Sequence, residues 1–538
     1  MSNEKLPIAV DLSHHLSEVS KARRTSPLKG LAKYMERPGV IALAGGMPNP
    51  SYFPFSSLSA DALVPDSFPV STSSSQSSSS SWFWKIFGAG QPKEKTSSVT
   101  IPKYAKDPRN NVNLATALQY GTATGLVPLQ KFLQEFTAKV YQPAYSDFAT
   151  LVQTGNTDGW NRAALTLCNP GECFLTEEWT YPSALASVSP LNMTAVPVGM
   201  DKEGMSATSL RKILAEWDES VQGKKRPHVM YTVPVGQNPS GATMGEERKK
   251  EIYDICVEYD VIIVEDDPYF FLQEGEYVPK SVRSTTSTPD DVSQYIASLV
   301  PSFLRYDYQG RVVRLDTFSK TIAPGSRLGW FTCNPVFAER FERAGEVSTQ
   351  APCGFGQSLI TSLLLNWGFE GYIRWLRGLG AQYTARRDFI IDALADEFDL
   401  DLSPSSSAHA VGPWRGANVY VAKEKWQGTE KFAATGRKPL FSFVPPTSGM
   451  FIWLKVHFEN HPAYAAGDDS LEMKLWVAIA EAGLVIGPGW FFAADDENSP
   501  DGPNDGHYRI AFSFSDNDEM KKAVDIFGKV VKEFFKEA

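Results

Sequence analysis

Between Asn113 and Cys333 the chain alternates short apolar runs with longer segments whose apolar residues recur at helical spacing, and this pattern constrains the fold more than any other feature. The runs at 150–152, 173–176, 193–198, 228–233, 261–265, 312–316 and 328–333 read as strands, and 126–140, 157–167 and 246–259 read as helices. Strands that are apolar along both faces need cover on both faces. The pattern therefore predicts an α/β fold with a mostly parallel sheet between helices. A helical stretch at 368–397 follows. Beyond it, strands at 451–456, 484–486 and 508–512 and helices at 474–482 and 519–537 predict a smaller α+β domain. In open α/β sheets a ligand sits beyond the carboxyl ends of the strands, and the residues singled out below fall there.

Composition shifts suggest the boundaries. Residues 1–60 read as an N-terminal arm, with a short helix at 28–36 ending at Arg37-Pro38-Gly39 and a side-chain-free turn at Gly45-Gly46. Residues 61–110 read as a mobile serine-rich insertion. The tract 71–81 is serine except for Thr72 and Gln76, and cannot bury enough apolar surface to order itself. A large domain at 111–372 and a small one at 373–538 complete the division, with further insertions at 273–309 and near 403–437.

Lys and Arg number 52 against 62 Asp and Glu, for a net charge of −10 without a long basic run, which argues against a nucleic-acid partner. The five cysteines are odd in number and sparse, so reduced thiols in an intracellular protein are expected. Cys168 and Cys173, on either side of an Asn169-Pro170-Gly171 turn, read as packing residues, and no metal is expected. The start lacks a signal-peptide pattern, and the apolar runs are too short to span a bilayer. No membrane partner and a cytoplasmic location follow as expectations.

Five stretches carry chemistry. After the apolar strand that opens 313–330, Thr317 and Ser319 present Lys320, and Arg327 follows seven residues later. A lysine in a buried turn needs a partner or a covalent role, and two hydroxyls with an arginine suit a phosphate dianion. A Schiff-base lysine beside a phosphate points to pyridoxal phosphate, and a surface Lys–Arg pair is the bland alternative. At Q-T-G-N-T-D-G-W (153–160) a strand meets a helix start, which suits either an anion or an ordinary cap from Asn156 or Thr157. Asn238, before Pro239, either makes a turn or donates to a phenolic oxygen. E-D-D-P-Y-F puts Glu265, Asp266 and Asp267 at a strand mouth, where metal binding, solvation, or a carboxylate opposite a pyridine nitrogen all compete. Arg509, inside the apolar run H-Y-R-I-A-F-S-F, requires a partner, either an internal carboxylate or that of a substrate.

Taken in order, L-A-G-G-M-P-N-P, A-L-Q-Y-G, Q-N-P-S-G, E-D-D-P-Y-F, S-K-T-I-A-P-G-S-R-L-G and Y-R-I-A-F-S resemble the fold-type-I aminotransferases dependent on pyridoxal 5'-phosphate. The resemblance runs from about Ser26 to the C-terminus, insertions aside, and is to the branch holding 2-aminoadipate/kynurenine and fungal aromatic-amino-acid aminotransferases. It implies that Lys320 carries the cofactor and then shuttles the substrate proton, that Asp266 pairs with the ring nitrogen, and that Tyr181 stacks on the ring. Asn238 and Tyr269 would contact the ring hydroxyl oxygen. Asn156, Thr157, Thr317, Ser319 and Arg327 would hold the phosphate, although Asn156-Thr157 stands where relatives more often carry Ser-Gln. Tyr120 would reach the phosphate of a neighbouring subunit, which implies a homodimer. Arg509 would clamp the substrate carboxylate, with Gly45, Gly46 and Asn238 nearby and Lys29 closing over the side chain.

The activity so implied is ping-pong transfer of the amino group of Phe, Tyr or Trp, or of 2-aminoadipate or kynurenine, to 2-oxoglutarate. A lyase or decarboxylase on the same scaffold and a cofactor-binding regulator are the rival readings.

Overall fold

The apolar runs become the strands of one large sheet because their side chains alternate between two cores. A computed structural model of the chain describes residues 6–25, 34, 39–41, 43, 44, 46–72, 94–107, 110–284, 286, 287, 291–425, 437–495 and 504–536. In chain order the large unit contains α1 (Val127–Val140), β1 (Ala149–Gln153), α2 (Asn156–Leu167), β2 (Cys173–Glu177), α3 (Pro182–Val188), β3 (Thr194–Val198) and β4 (Val229–Thr232). It continues with α4 (Glu246–Glu258), β5 (Ile262–Asp266), β6 (Val312–Thr317), β7 (Gly329–Cys333) and α5 (Pro335–Glu346).

The seven strands lie in the order β1-β7-β6-β5-β4-β2-β3. Neighbours pair parallel from β6 to β3, while β7 runs antiparallel to both β6 and β1. Val264, Val313 and Phe331 point into one core with Trp160 of α2. Ile263, Val312 and Trp330 point into the other with Phe132 of α1 and Ile252 of α4. Helix α1 forms where Leu129, Phe132, Leu133, Phe136 and Val140 make a single buried stripe.

Helix α6 (Gly354–Glu397) begins earlier than the expected 368, and non-helical dihedrals at Gly368 break it into two arms. It leads to a six-stranded sheet of β8 (Phe398–Ser403), β9 (Val419–Glu424), β10 (Phe441–Phe443), β11 (Phe451–Val456), β12 (Gly487–Pro488) and β13 (His507–Ala511), in the order β8-β9-β10-β11-β13-β12. Helices α7 (Leu471–Glu481) and α8 (Asn517–Phe534) also belong to this unit, and α8 starts with a reciprocal capping box between Asp516 and Glu519. The strand expected at 484–486 does not form. The Leu484 N–H instead returns to the Ile479 carbonyl and closes α7, and the strand lies just beyond, at β12.

Within the stretch 403–437, β9 is a paired strand with Val419 and Val421 turned inward, while 426–436 lie outside the described residues. The arm helix at 28–36 lies outside them except for Tyr34, as does the serine tract from 73 on. On either side of that tract, Ser57–Leu63 and Thr96–Pro102 pair antiparallel. Trp367 and Asn366 of α6 donate to Leu63 O at 3.2 Å and to Ser97 Oγ at 3.1 Å, tying this pair to the helix.

Candidate active site

Glycine contacts bring the strand ends together. Gly155, at φ 103°, caps α2, and a Cβ there would lie 2.3 Å from Arg327 Nη2, so only glycine lets the arginine lie against this turn. Gly236 and Gly449 touch backbone to backbone, where a Cβ on Gly236 would meet Gly449 Cα at 2.6 Å. That contact seats the 233–241 turn against the small sheet, and Arg509 Nη1 of β13 donates to Asn238 Oδ1 at 2.7 Å.

The result is a cleft of about 440 Å3 at the carboxyl ends of β1, β5 and β6, closed on its other side by β11 and β13. It brings together Asn156, Thr157, Tyr181, Asn238, Asp266, Tyr269, Thr317, Ser319, Lys320, Arg327 and Arg509 from the sequence expectation. Tyr120 is not among them. It is 62% exposed, in a separate depression formed by residues near 115–127 and 348–357. Gly46 is exposed and does not line the cleft, and Gly45 and Lys29 lie outside the described residues.

Lys320 ends the strand-to-turn passage. Its amine has no hydrogen-bond partner among the described residues, and burial together with the Arg509 guanidinium lowers its pKa from the ordinary range. Beside it, the Thr317 hydroxyl donates to Ser319 Oγ at 2.9 Å and accepts from the Ser319 N–H at 3.1 Å. Arg327, in the left-handed region, reaches Ser319 Oγ at 3.4 Å. With the first-turn N–H groups of α2 opposite, these donors suit a phosphate dianion.

Asp266 is held from two sides. Tyr231 OH donates to Oδ2 at 2.6 Å and Asn156 Nδ2 to Oδ1 at 2.7 Å. Burial raises its carboxyl to about 6, opposed by those two hydrogen bonds. The Asn156 side chain is thus committed to Asp266 and to Leu315 O at 3.0 Å, and its own carbonyl accepts from Gln153. Asn156, expected at the phosphate, lines the cleft with its side chain spent on this carboxylate.

Glu265 and Asp267 are also not the solvated acids that the sequence left open. Both are fully buried against Arg314, at 3.2 and 2.9 Å, and Asp316 meets the same guanidinium at 3.0 Å. Of the three strand-mouth carboxylates, Asp266 alone lines the cleft. Tyr231 was missed in the sequence. A tyrosine in the strand run V-M-Y-T-V was the available signal, since a buried phenol requires a partner.

Arg509 lies between rings, 4.3 Å from the Phe451 centroid and 4.6 Å from that of Phe492, and its buried Nε has no partner. Burial lowers its pKa from the ordinary value. The spare N–H donors of a mostly desolvated guanidinium suit a carboxylate entering the cleft. Burial and the Asp266 charge raise the Tyr269 phenol, so it stays protonated and able to donate. An unpartnered amine, a phosphate cradle and a buried carboxylate in one cleft fit pyridoxal 5'-phosphate.

Comparison with known proteins agrees. The family model of aminotransferase class I and II matches residues 85–527. An aromatic amino acid aminotransferase of Schizosaccharomyces pombe is 34% identical over 98% of this chain and 98% of its own. An L-tyrosine:2-oxoglutarate aminotransferase of Serpula lacrymans is 34% identical over 93% of this chain and 86% of its own. The crystal structure of aminotransferase Aro8 from Candida albicans superposes with a TM-score of 0.80, at 34% identity over 99% of this chain and 100% of that one. Class I and II aminotransferases depend on pyridoxal 5'-phosphate, for which the cleft is suited. No helix among the described residues is long and apolar enough to cross a membrane. On the match to most of its length and on the donor set of its cleft, this chain belongs to the class I and II aminotransferase family.

Proposed function

We propose that the protein transfers the amino group of aromatic amino acids to 2-oxoglutarate in two half-reactions. The observation that carries this reading is the convergence of Lys320, Asp266 and Arg509 on one cleft. In this reading Lys320 holds the cofactor, and Thr317, Ser319, Arg327 and the first turn of α2 hold its phosphate. Tyr181 covers the ring face, with Asn238 and Tyr269 at the ring hydroxyl. Asp266 takes the ring N–H, and Tyr231 and Asn156 keep its carboxylate oriented. When bound, the cofactor supplies an electron-withdrawing ring beside the substrate α-carbon. Arg509 fixes the α-carboxylate of donor and acceptor alike. Lys320, whose lowered pKa favours a neutral amine, removes the proton from Cα and returns it on the other side of the transfer.

Phe451, Met450 and Tyr269 give the cleft an apolar flank beside Arg509, which supports an aromatic side chain over a polar one. The relatives named for aromatic amino acids and for tyrosine with 2-oxoglutarate support the same donor and acceptor. The exposed Tyr120, together with the exposed Ile41, Leu43 and Tyr52 of the arm, supports a homodimer in which Tyr120 completes the partner's site. The five unpaired cysteines support a cytoplasmic location.

The test is a half-reaction. Mixing purified holoenzyme with tyrosine alone should abolish the visible band of the lysine-bound cofactor, and 2-oxoglutarate should restore it. 2-Aminoadipate and kynurenine, tried in parallel, rank the donors. Release of carbon dioxide or ammonia without that restoration would replace this reading with a decarboxylase or lyase.

A further inference from the structure

At the opposite, amino-terminal edge of the large sheet lies a second polar cluster that the transfer reaction does not use. β5 alone separates the two edges by about 16 Å. The N-terminal segment folds against this edge and brings His15, 3% exposed, beside His228, the residue before β4. The register that puts Leu175 opposite Met230 sets the start of β2 beside His228. The Asn169-Pro170-Gly171 turn folds Glu172 back toward Cys168, the buried residue that ends α2.

The proton positions in this cluster form a chain. His15 Nε2 lies 3.0 Å from Asp260 Oδ1, and Asp260 also takes Arg311 at 2.7 Å. A carboxylate beside an arginine is an acceptor, so His15 Nε2 carries a proton. A neutral His15 ring with its proton on Nε2 offers Nδ1 as an acceptor. His15 Nδ1 is 3.0 Å from His228 Nδ1, so His228 must carry its proton there. A neutral His228 protonated on Nδ1 turns a bare Nε2 toward Glu172 Oε2 at 3.6 Å. Glu172 is ionised, accepting from Asn169 N–H at 2.8 Å and from its side-chain amide at 3.1 Å. In this tautomer two electron pairs face each other, and one ligand atom each of Cys168, Glu172 and His228 all lie within 4.8 Å of one another.

We propose that Cys168, Glu172 and His228 bind one divalent cation of the zinc class at this edge. Metal–nitrogen and metal–oxygen bonds of about 2.0–2.1 Å span a tetrahedral edge of about 3.3 Å, close to the spacing of His228 and Glu172. Sulfur, imidazole and carboxylate together select a borderline-soft ion over magnesium or calcium. The Asp260–His15 chain fixes the His228 tautomer, as outer partners of metal-bound histidines do. Binding releases the Cys168 thiol proton to solvent, and the thiolate and carboxylate balance the charge of the ion. The ion would tie the end of α2 to the start of β4, under the N-terminal segment.

The test uses holoenzyme stripped of metal with a chelator and titrated with cobalt(II). The expected result is one ion per chain and a thiolate-to-cobalt absorption band, both lost in Cys168→Ala and His228→Ala but kept in Cys173→Ala. Aminotransferase activity in the variants reports folding, because the cleft lies at the other edge. Absence of the band in the unaltered protein would overturn the proposal. So would its persistence in Cys168→Ala, or an ion that is lost only in His14→Ala, which would assign it to the neighbouring His14, His15 and Asp260 group.

Discussion

Tyr231 and Asp266 face each other from adjacent parallel strands, the phenol donating to the carboxylate at 2.6 Å. Asn156 takes the other carboxylate oxygen, so both hydrogen bonds favour the charged form of a group that burial pushes up to about 6. Tyr231→Phe removes one of them, and Asp266 then titrates higher. The acid limb of the kcat/KM profile should move to higher pH, with about tenfold less activity near pH 6 and a smaller deficit at alkaline pH. Steady-state assays across pH check this; an unmoved limb would separate Tyr231 from the ionisation of Asp266.

Arg509 is held by Asn238 and two rings rather than by an acid. Arg509→Gln should raise KM for amino acid and 2-oxo acid together, costing about 10²-fold or more in kcat/KM, since desolvated charge contacts are worth about 2–5 kcal/mol. The visible spectrum of the bound cofactor should change little, and that comparison distinguishes a lost substrate contact from a lost cofactor.

Glu177 is fully buried beside Thr232, and burial raises its carboxyl to about 7 from 4.5. The folded chain therefore holds a proton that the unfolded chain has released between those values, and stability falls as pH rises from 4.5 through about 7. Glu177→Gln mimics the neutral form. It should be neutral in effect near pH 4.5 and stabilising by about 1–3 kcal/mol above pH 7. Urea unfolding at both ends of that window provides the measurement.

Arg314 has no exposed surface and meets Glu265, Asp267 and Asp316. Arg314→Met leaves those carboxyls buried without their cation, at a cost of about 3–5 kcal/mol. Losing the guanidinium raises the folded pKa values of Asp267 and Asp316 further above the unfolded ones, so the deficit should shrink as pH falls and these two carboxyls protonate. Thermal unfolding at two pH values tests both the size and the sign.

Much of this was readable locally. Apolar periodicity gave the seven strands of the large sheet and helices α1, α2 and α4 to within a few residues, because the alternation that buries Val264 on one face and Ile263 on the other is written in consecutive positions. Lys320, Ser319 and Arg327 were readable as a group because one short turn carries them. Asn156 was readable as a site residue but not in its role, since its neighbour in space, Asp266, is 110 residues away.

The sequence by itself determined the layered α/β architecture and which side chains could do the chemistry, because periodicity and turn chemistry act between near neighbours. Only the tertiary structure decided which of three adjacent carboxylates faces the cleft, that Arg314 neutralises the others, and that His15 meets His228 at the far edge. Charge and hydrogen-bond partners are set by distances of about 3 Å between residues far apart in the chain, and strand order fixes those distances.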